Sequence, residues 1–285
     1  MKILVIPNFD KKHALTCTKQ VCGILHELGL DILMAAETQQ HLVLSTVCYD
    51  SFDVQLEQAD LILAIGGDGT IIHSAKSAVR FGIPVLGINA GRLGFLAGLE
   101  RNELHKLSRL VDGTYTVESR MMLDVVHRTP SSERCYLAFN DVVVSKGPVS
   151  RMIEVDVTCN ERLVSSYRAD GLIFSTPTGS TAYALSAGGP IIEPSLNSIS
   201  MTPISPQSLF SRSILFAPGS ELCLKLRSEP SIEAYITVDG ERAVQITEDD
   251  TLLVRQSATQ VKLINVNDKA FYEVLNEKFI TRAKE

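Results

Sequence analysis

The stretch ADLILAIGGDGTIIH, residues 59–73, decides the fold of this chain. Leu61 to Ile65 is a short apolar run with β-branched residues, which is typical of a buried strand. Gly66 to Thr70 is a glycine-rich turn, and Ile71 to Arg80 has the pattern of a helix. We therefore predict a strand, a turn and a helix in succession. In a parallel sheet, ligands bind where such a strand ends.

Asp68 distinguishes this turn from a simple phosphate-binding loop. Glycines let the backbone approach phosphates closely, and free N–H groups at a helix start attract anions. A carboxylate in the middle of the loop repels a phosphate, so it needs a role of its own. It can accept the proton of a hydroxyl nucleophile, or help to hold a metal ion. The alternative is a tight turn in which Asp is only a good turn residue.

The first part of the chain alternates strands and helices with short connections, which predicts an α/β domain with a parallel sheet over residues 1–114. The segment 37–58 is ambiguous, and the boundary of the domain falls near residues 112–116. The predicted strands are 2–6, 31–35, 61–65 and 84–88, and the predicted helices are 13–28, 71–80 and 100–111.

After Thr114 the pattern changes to short alternating runs separated by turn residues, which predicts an all-β domain, a sandwich or a folded-over sheet, over residues 115–264. The tail, residues 265–285, returns to helical spacing at Phe271, Val274, Leu275 and Phe279. We expect this helix to pack on the first domain. The predicted strands of the second domain are 116–126, 135–145, 153–159, 171–175, 222–226, 235–238 and 251–256.

Composition and charge exclude several functions. The net charge is −6 and there is no basic run, so DNA and RNA are not expected partners. No apolar stretch has the length of a membrane span, and Met1-Lys2-Ile3 leads directly into a strand, so we expect neither a membrane association nor a signal peptide. The six cysteines form no CxxC pair, which favours free thiols in a reducing cytoplasm.

A second candidate site lies in the β domain. Arg168-Ala169-Asp170-Gly171 precedes a strand, and the run from Ser175 to Tyr183 follows it. So many hydroxyls and glycines suit a ribose, a diphosphate or an amide, and Tyr183 can stack on a ring. We expect a helix to open between Thr181 and Ser186, which would place N–H donors at its start. The alternative is a polar, serine-rich loop.

Two further segments are candidates. Asn140-Asp141 lies within the predicted strand 135–145, where this pair is a poor strand former, so either ligand hydrogen bonds offset the cost or the pair marks a bulge or a turn. Asn89 to Leu99 is a second glycine-rich loop, in which Phe95 offers an apolar face to a base or a ribose. The alternative for this loop is a packed corner.

These motifs together resemble those of the NAD kinase family, the enzymes that make NADP from NAD. Gly66-Gly67-Asp68-Gly69 resembles the family's GGDG, and residues 89–96 resemble its second glycine-rich segment. Asn140-Asp141 resembles its Asn-Glu or Asn-Asp pair, and Asp170-Gly171 with residues 175–183 resembles its longest signature. GGDG alone also occurs in 6-phosphofructokinases and lipid kinases, whereas all four motifs in this order are specific. The resemblance covers residues 59–218.

The resemblance implies that Asp68 is the base that deprotonates the adenosine 2′-hydroxyl of NAD. It implies a phosphate loop of Gly66, Gly67, Gly69 and Thr70. His73, Arg151, Arg168 and Ser205 fall at peripheral positions. The adenine half of NAD is expected between the loop after Ile65 and the segment 178–186. The implied NAD-binding residues are Asp68, Gly69, His73, Asn140, Asp141, Arg151, Arg168, Asp170, Thr181, Ala182, Tyr183, Ala184, Leu185, Ser186 and Ser205.

The resemblance also implies partners and an assembly. ATP, or polyphosphate in some members, is the phosphoryl donor, and a divalent metal cation such as Mg²⁺ assists, with no ligand residues assigned. Family members are cytoplasmic homo-oligomers, so a homodimer or a homotetramer is expected. The chain departs from the family at Glu241, where a Gln is frequent, and at Gln207, where a His is common. These departures concern the nicotinamide side and subunit contacts.

No lysine of the Walker type follows the glycine-rich turn, so we expect the metal ion and backbone N–H groups to neutralise the phosphates. Two rival functions remain at this point. A sugar or lipid kinase would share GGDG but would not need the run from Ser175 to Tyr183. A dinucleotide-binding regulator would keep the pocket but would have no use for Asp68.

Overall fold

A computed structural model gives the architecture of the chain, and it describes residues 1–91, 94–148, 151–208, 211–228, 232–267 and 269–282. The chain divides into two compact units, residues 1–119 with 261–285, and residues 120–260. Several residues named in the sequence-based predictions lie outside the described part: Arg92, Leu93, Leu209, Phe210, Asp268, Lys284 and the side chain of Phe279.

The first unit is an α/β structure, as predicted. Its strands and helices, in chain order, are β1 (Lys2–Pro7), α1 (Ala14–Glu27), β2 (Asp31–Ala35), β3 (Val47–Asp50), α2 (Phe52–Gln58), β4 (Leu61–Gly66), α3 (Asp68–Ala78), β5 (Val85–Asn89), β6 (Leu99–Glu100) and α4 (Arg109–Asp112). Short 3₁₀ segments cover Ala36–Gln40, Val79–Phe81 and Arg101–Ser108.

The central sheet of this unit is parallel, with the strand order β3-β2-β1-β4-β5. From β1 the chain proceeds to β2, and from β4 it proceeds to β5, which is the opposite direction. Between β1 and β4 the sheet therefore has a topological switch point, where open α/β sheets bind ligands. All six residues of β4 are buried, so this central strand is covered on both faces of the sheet.

Three details of the first unit differ from the prediction. The ambiguous segment 37–58 contains β3 and α2, and the predicted helix 100–111 is mostly a 3₁₀ helix that ends in the short α4. Helix α3 begins at Asp68 rather than at Ile71. This last difference affects the site, because it places the Asp68 carboxylate in the first turn of a helix, where the macrodipole favours a negative charge.

The second unit is a sandwich of antiparallel sheets, as predicted. One sheet has the order β14-β13-β12-β9-β16-β17, and the other contains β11-β10-β15-β18, with β7 paired to β18 and β8 paired to β7. The elements are β7 (Thr116–Arg128), β8 (Glu133–Ala138), β9 (Asp141–Lys146), β10 (Ile153–Cys159), β11 (Arg162–Ala169), β12 (Gly171–Ser175), α5 (Tyr183–Ser186), β13 (Ile199–Ile204), β14 (Ile214–Phe216), β15 (Glu221–Leu226), β16 (Ala234–Val238), β17 (Val244–Ile246) and β18 (Thr251–Asn265).

The structure corrects the predicted strands of this unit in two respects. The single strand predicted over 135–145 is two strands, β8 and β9, and Asn140 lies in the break between them rather than in a strand. Strands β11, β13, β14 and β17 have no counterpart in the prediction. The inward residues of both sheets form one apolar core that includes Val142, Phe174 and Leu224.

The last helix, α6 (Phe271–Arg282), belongs to the first unit, as predicted. The amino group of Lys278 on this helix lies 3.6 Å from the centre of the Phe95 ring. Among the described residues, no helix combines the length and the apolar character needed to cross a membrane.

The structure predicts which thiols react. Cys17 and Cys22 are buried in the core of the first unit, and burial raises the pKa of each thiol to about 11. Cys48 and Cys135 are exposed. Because the thiolate is the reactive form, iodoacetamide at pH 8 should label Cys48 and Cys135 in the native protein, and Cys17 and Cys22 only after denaturation. Peptide mass spectrometry reads the labelling, and equal labelling of all four native thiols would contradict this burial.

Candidate active site

A cleft of about 890 Å³ lies at the switch point of the first unit. It collects residues from the carboxyl ends of three neighbouring strands, β1, β4 and β5. The described residues that line it are Asn8, Lys11, Lys12, His13, Gly67, Asp68, Gly69, Thr70, Ala90, Gly91, Gly94 and Arg101.

Three cationic side chains, Lys11, Lys12 and Arg101, line this cleft, and Asp68 is the one carboxylate among the described residues in its lining. The chain as a whole carries a net charge of −6, so the positive charge of the cleft is local. Lysine and arginine side chains together with a helix N-terminus suit a polyphosphate. These three side chains are therefore candidates to neutralise phosphates beside a metal ion and backbone N–H groups.

The Asp68 carboxylate is held by the second glycine-rich segment. The backbone N–H of Phe95 donates to Asp68 Oδ2 at 2.8 Å, and that of Leu96 donates to Oδ1 at 3.1 Å. An ionised carboxylate offers about four lone-pair sites, so both oxygens keep acceptor capacity after these bonds. The side chain is partly exposed and lines the cleft. Asp68 is thus oriented by the backbone and still open to a ligand.

Glycine at residue 94 is required by this arrangement. A Cβ atom added at Gly94 would lie 2.1 Å from Asp68 Oδ1. At Gly66 an added Cβ would lie 2.3 Å from Thr70 Oγ1, and that hydroxyl accepts a hydrogen bond from Asn8 Nδ2 at 3.1 Å. The glycines at these two positions therefore admit the side chains of α3, and the buried Gly66 is not among the described residues that line the cleft.

A second groove, of about 630 Å³, adjoins the cleft and shares Asn8, Gly69 and Thr70 with it. The aromatic rings of Phe9 and Phe52 line this groove. Its polar lining includes Glu37, Thr38, Gln40, His41 and the exposed His73. His73, a predicted peripheral residue, therefore lies in the same groove as Thr70.

In the second unit, Asn140 and the hydroxyl-rich run meet through their backbones. The N–H of Thr176 donates to the Asn140 carbonyl at 2.9 Å, and Thr176 Oγ1 donates to the Phe139 carbonyl at 2.7 Å. A Cβ atom added at Gly179 would lie 2.0 Å from the Asn140 carbonyl oxygen. The two motifs are therefore packed against each other.

Asp239, at the end of β16, holds this site in place. Its carboxylate accepts hydrogen bonds from the N–H groups of Phe139, Asn140 and Asp141 at 2.9, 2.7 and 3.1 Å. The buried Asn140 Oδ1 accepts no hydrogen bond from any residue that the structure describes. A buried acceptor without a partner is costly unless a ligand supplies the donor.

Asp141 is 5% exposed and lies close to the Asp239 carboxylate. Burial, followed by the negative charge of Asp239, raises the pKa of Asp141 to about 7. Near neutral pH this side chain therefore exchanges between a hydrogen-bond donor and an acceptor. Perturbed pKa values of this kind concentrate at functional sites.

Several hydroxyls predicted to suit a ligand instead stabilise the turn. Ser175 Oγ bonds Ser200 Oγ at 2.7 Å, Ser180 Oγ donates to the Pro177 carbonyl at 2.6 Å, and both serines are fully buried. The predicted helix from Thr181 is also shorter, because Thr178–Thr181 is a 3₁₀ turn and α5 has only four residues. A short helix therefore does open within 181–186, and a contact of its first N–H groups with a ligand stays a prediction.

The remaining predicted residues of the second unit lie along β12 and beyond its ends. Tyr183 is 48% exposed, whereas Ala184 packs against the sheet with Val143, Ile173 and Ile204. The predicted residues around α5 are Thr181, Ala182, Leu185 and Ser186.

Arg168, Asp170 and Ser205 are grouped at the other end of β12. The Asp170 carboxylate forms an ion pair with Lys146 Nζ at 2.9 Å, and Ser205 adopts a positive φ of 45°. The exposed Gln207 donates its N–H to the Arg168 carbonyl at 2.9 Å, so this departure from the family pattern lies in the same group. Arg151, immediately before β10, and Glu241, after β16, are both exposed.

Sequence reasoning missed Lys11, Lys12 and Arg101 in the cleft, and Asp239 beneath Asn140. The lysine pair could have been found from the sequence, because it follows β1. In a parallel sheet the carboxyl ends of neighbouring strands such as β1 and β4 lie at the same edge. Asp239 had no local signal, since its partners are about 100 residues away in the chain.

Comparisons with known proteins define the class of protein. The ATP-NAD kinase N-terminal domain matches residues 3–115, and the ATP-NAD kinase C-terminal domain matches residues 139–266. The NAD kinase of Natranaerobius thermophilus is 38% identical over 276 residues, which is 96% of each chain. The NAD kinase of Heliobacterium modesticaldum is 40% identical over 280 residues, again 96% of each chain.

Solved structures have the same fold. A yeast NADH kinase complexed with NADH superposes with a TM-score of 0.86 at 23% identity, covering 97% of this chain and 86% of the other. An NAD kinase from Archaeoglobus fulgidus in complex with ATP gives a TM-score of 0.75 at 24% identity, covering 98% of each chain. This chain belongs to the ATP-NAD kinase family, and the resemblance seen in its motifs is confirmed.

The pKa of Asp141 predicts a pH-dependent stability. In the unfolded chain this carboxyl has an ordinary pKa of 3.8, and in the fold the pKa is about 7. The folded state therefore binds the extra proton between these values, and stability falls as pH rises through that window. Asp141→Asn removes the cost, so its melting temperature should exceed that of the wild type by about 5 °C at pH 8.

The control is the same comparison at pH 4.5, where the wild-type carboxyl is protonated in the fold and the difference should be small. Asp249→Asn makes the same chemical change at an exposed turn position and should show no such pH trend. A melting-temperature difference that does not change between pH 4.5 and pH 8 would contradict the assigned pKa.

Proposed function

We propose that this chain transfers the γ-phosphoryl group of ATP to the 2′-hydroxyl of the adenosine ribose of NAD, making NADP, with Asp68 as the general base. The observation that carries this proposal is the Asp68 carboxylate, oriented by two backbone N–H groups inside a cation-lined cleft. Family membership supports NAD as the acceptor rather than a sugar or a lipid.

The base is needed because a ribose hydroxyl is a poor nucleophile while it keeps its proton. A positioned carboxylate that accepts this proton contributes roughly 10²–10⁴-fold to the rate. Two N–H bonds hold the Asp68 carboxylate in one orientation, which lowers the entropy lost on reaching the reactive geometry. The rival function, a dinucleotide-binding regulator, would have no use for this arrangement.

The donor phosphates are assigned to the cleft. Lys11, Lys12 and Arg101 neutralise their charge, and Gly69 in the first turn of α3 supplies an N–H donor, whereas the Thr70 N–H donates to the Gly67 carbonyl at 2.9 Å. The adjoining groove shares Thr70 with the cleft and offers the rings of Phe9 and Phe52, which suits the base of the donor nucleotide. Polyphosphate would use the cleft without the groove.

The residues of the cleft fit a Mg²⁺ ion that is held largely by the donor. Among the described residues, no group of three or more His, Cys, Asp or Glu side chains is placed to hold a metal. Mg²⁺ commonly takes one or two carboxylates together with substrate phosphates, and Asp68 is the carboxylate available. When bound, the ion would neutralise charge on the transferring phosphoryl group.

The acceptor dinucleotide is assigned to the site around Asn140. Asn140 Oδ1 is an acceptor without a protein partner among the described residues, and the exposed ring of Tyr183 is free to stack on a base. The predicted cytoplasmic location and the predicted homo-oligomer stand as further parts of this proposal.

Asp68→Asn tests the base. Asn cannot accept the ribose proton, so the rate of NADP formation at saturating ATP and NAD should fall by about 10²–10⁴-fold. The change should appear in kcat with little change in KM for NAD. One of the two N–H groups of Phe95 and Leu96 will face the new amide nitrogen, so a loss of about 1 kcal/mol in stability is also expected.

Asp60→Asn is the matched control. It makes the same chemical change just before β4, at the opposite end of the strand, and Asn can still accept the bond from the Lys2 N–H. This control should keep wild-type turnover. A wild-type kcat in Asp68→Asn would exclude Asp68 as the base.

Tyr183→Ala tests the acceptor site. Loss of a stacked ring should weaken NAD binding by about 10- to 100-fold, since stacking of a base on an aromatic side chain contributes roughly 1–3 kcal/mol. Tyr183→Phe keeps the ring and should bind NAD almost as well as the wild type. Isothermal titration calorimetry measures both affinities, and an unchanged affinity in a folded Tyr183→Ala variant would remove Tyr183 from the site.

A further inference from the structure

The segment that holds Asp68 is itself held by the C-terminal part of the chain. Asn267 Nδ2 donates to the Gly98 carbonyl at 2.7 Å, three residues beyond the Phe95 amide. The same side chain contacts Glu103 Oε2 at 3.2 Å and also bonds Lys106. All these residues belong to the first unit. The tail therefore fixes one end of the loop.

Helix α6 makes a second contact with the same loop. Lys278 is only 3% exposed, and its ammonium group lies 3.6 Å from the centre of the Phe95 ring. Lysine is almost never buried to this degree without a stabilising partner. A cation over a ring face in a desolvated site is a strong form of the cation–π interaction.

The ring and the amide of Phe95 belong to one residue. Holding the ring under Lys278 restrains residue 95, whose backbone N–H donates to Asp68 Oδ2 at 2.8 Å. The contacts thus form a short series: the Lys278 ammonium, the Phe95 ring, the Phe95 N–H and the Asp68 carboxylate. Gly94 allows the approach, because any Cβ there would meet Asp68.

We propose that Lys278 of α6 and Phe95 are positioning residues for the reaction, which hold the Asp68 carboxylate in the orientation that accepts the ribose proton. The proposal rests on Asp68 being the base. It assigns a catalytic contribution to the C-terminal helix, which lies about 200 residues from Asp68 in the sequence. The alternative is that Lys278 only anchors the helix.

Lys278→Met separates these two roles. Methionine has similar length and can pack on the Phe95 ring through its sulfur, so the fold should be retained, and the melting temperature is measured beside kcat. The carboxylate would lose its fixed orientation, and kcat should fall about tenfold, since small misplacements of reacting groups cost up to about 100-fold. KM for NAD and for ATP should stay within about twofold, because neither substrate touches Lys278 in this account.

Two control variants test whether a cation over the ring is sufficient and whether the effect passes through Glu100. Lys278→Arg keeps a cation over the ring and should restore most of kcat. Lys269→Met removes an exposed positive charge that, like Lys278, lowers the pKa of Glu100, whose pKa is raised overall by burial. It does not touch Phe95, so it should keep wild-type kcat and exclude an effect through Glu100.

A double-mutant cycle tests the path through Phe95. Phe95→Leu keeps the backbone N–H but removes the ring, so it should lower kcat by a similar factor. Adding Lys278→Met to Phe95→Leu should then cost little more, and adding it to Asp68→Asn should not lower the residual rate.

Three outcomes would overturn the proposal. The first is wild-type kcat in Lys278→Met. The second is a loss of kcat that follows a loss of melting temperature and recovers on cooling. The third is an equal effect of Lys278→Met in the wild type and in Phe95→Leu. If Asp68→Asn is inactive while Lys278→Met is fully active, only this inference fails and the base assignment stands.

Discussion

Two hydrogen bonds, from the N–H groups of Phe95 and Leu96 to the Asp68 carboxylate, are the interaction on which the site in the first unit depends. They connect the turn after β4 to the segment after β5, so two neighbouring strand ends act as one surface. An unheld carboxylate at this position would move between rotamers and would repel the donor phosphates. In the proposed reaction this fixed orientation lets Asp68 accept the ribose proton while the cations of the cleft bind the phosphates.

In the second unit, too, an aspartate carboxylate accepts hydrogen bonds from backbone N–H groups. The Asp239 carboxylate gathers three consecutive N–H groups and so breaks the strand at Asn140, and a glycine, Gly179, allows the hydroxyl-rich run to pack on the exposed carbonyl. In both units an aspartate fixes a segment of backbone, and a glycine provides the space. These glycines are required by close approach, and neither has a positive φ.

Sequence reasoning predicted the features whose causes are local. Strands such as Asp31–Ala35 were found because they are short apolar runs, and three successive residues of this strand are indeed buried. Asp68 was found because a carboxylate is unexpected in a glycine-rich turn. The hydroxyls of Ser175 and Ser180 bond protein groups instead of pointing to a ligand: Ser175 bonds Ser200 on β13, and Ser180 bonds the Pro177 carbonyl and the Ile192 N–H. Asp239 and the cations of the cleft were missed, since only the fold brings them to Asn140 and Asp68.

The most direct test of the central claim is a crystal structure of the protein with NAD, Mg²⁺ and a non-hydrolysable ATP analogue. The distance to measure joins the nearer Asp68 carboxylate oxygen to the adenosine 2′-oxygen of NAD. If Asp68 is the base, this distance will be about 2.6–3.2 Å, the range of a hydrogen bond that can transfer the proton. A 2′-oxygen bonded to a different side chain, with Asp68 beyond the reach of a bridging water, would contradict the account.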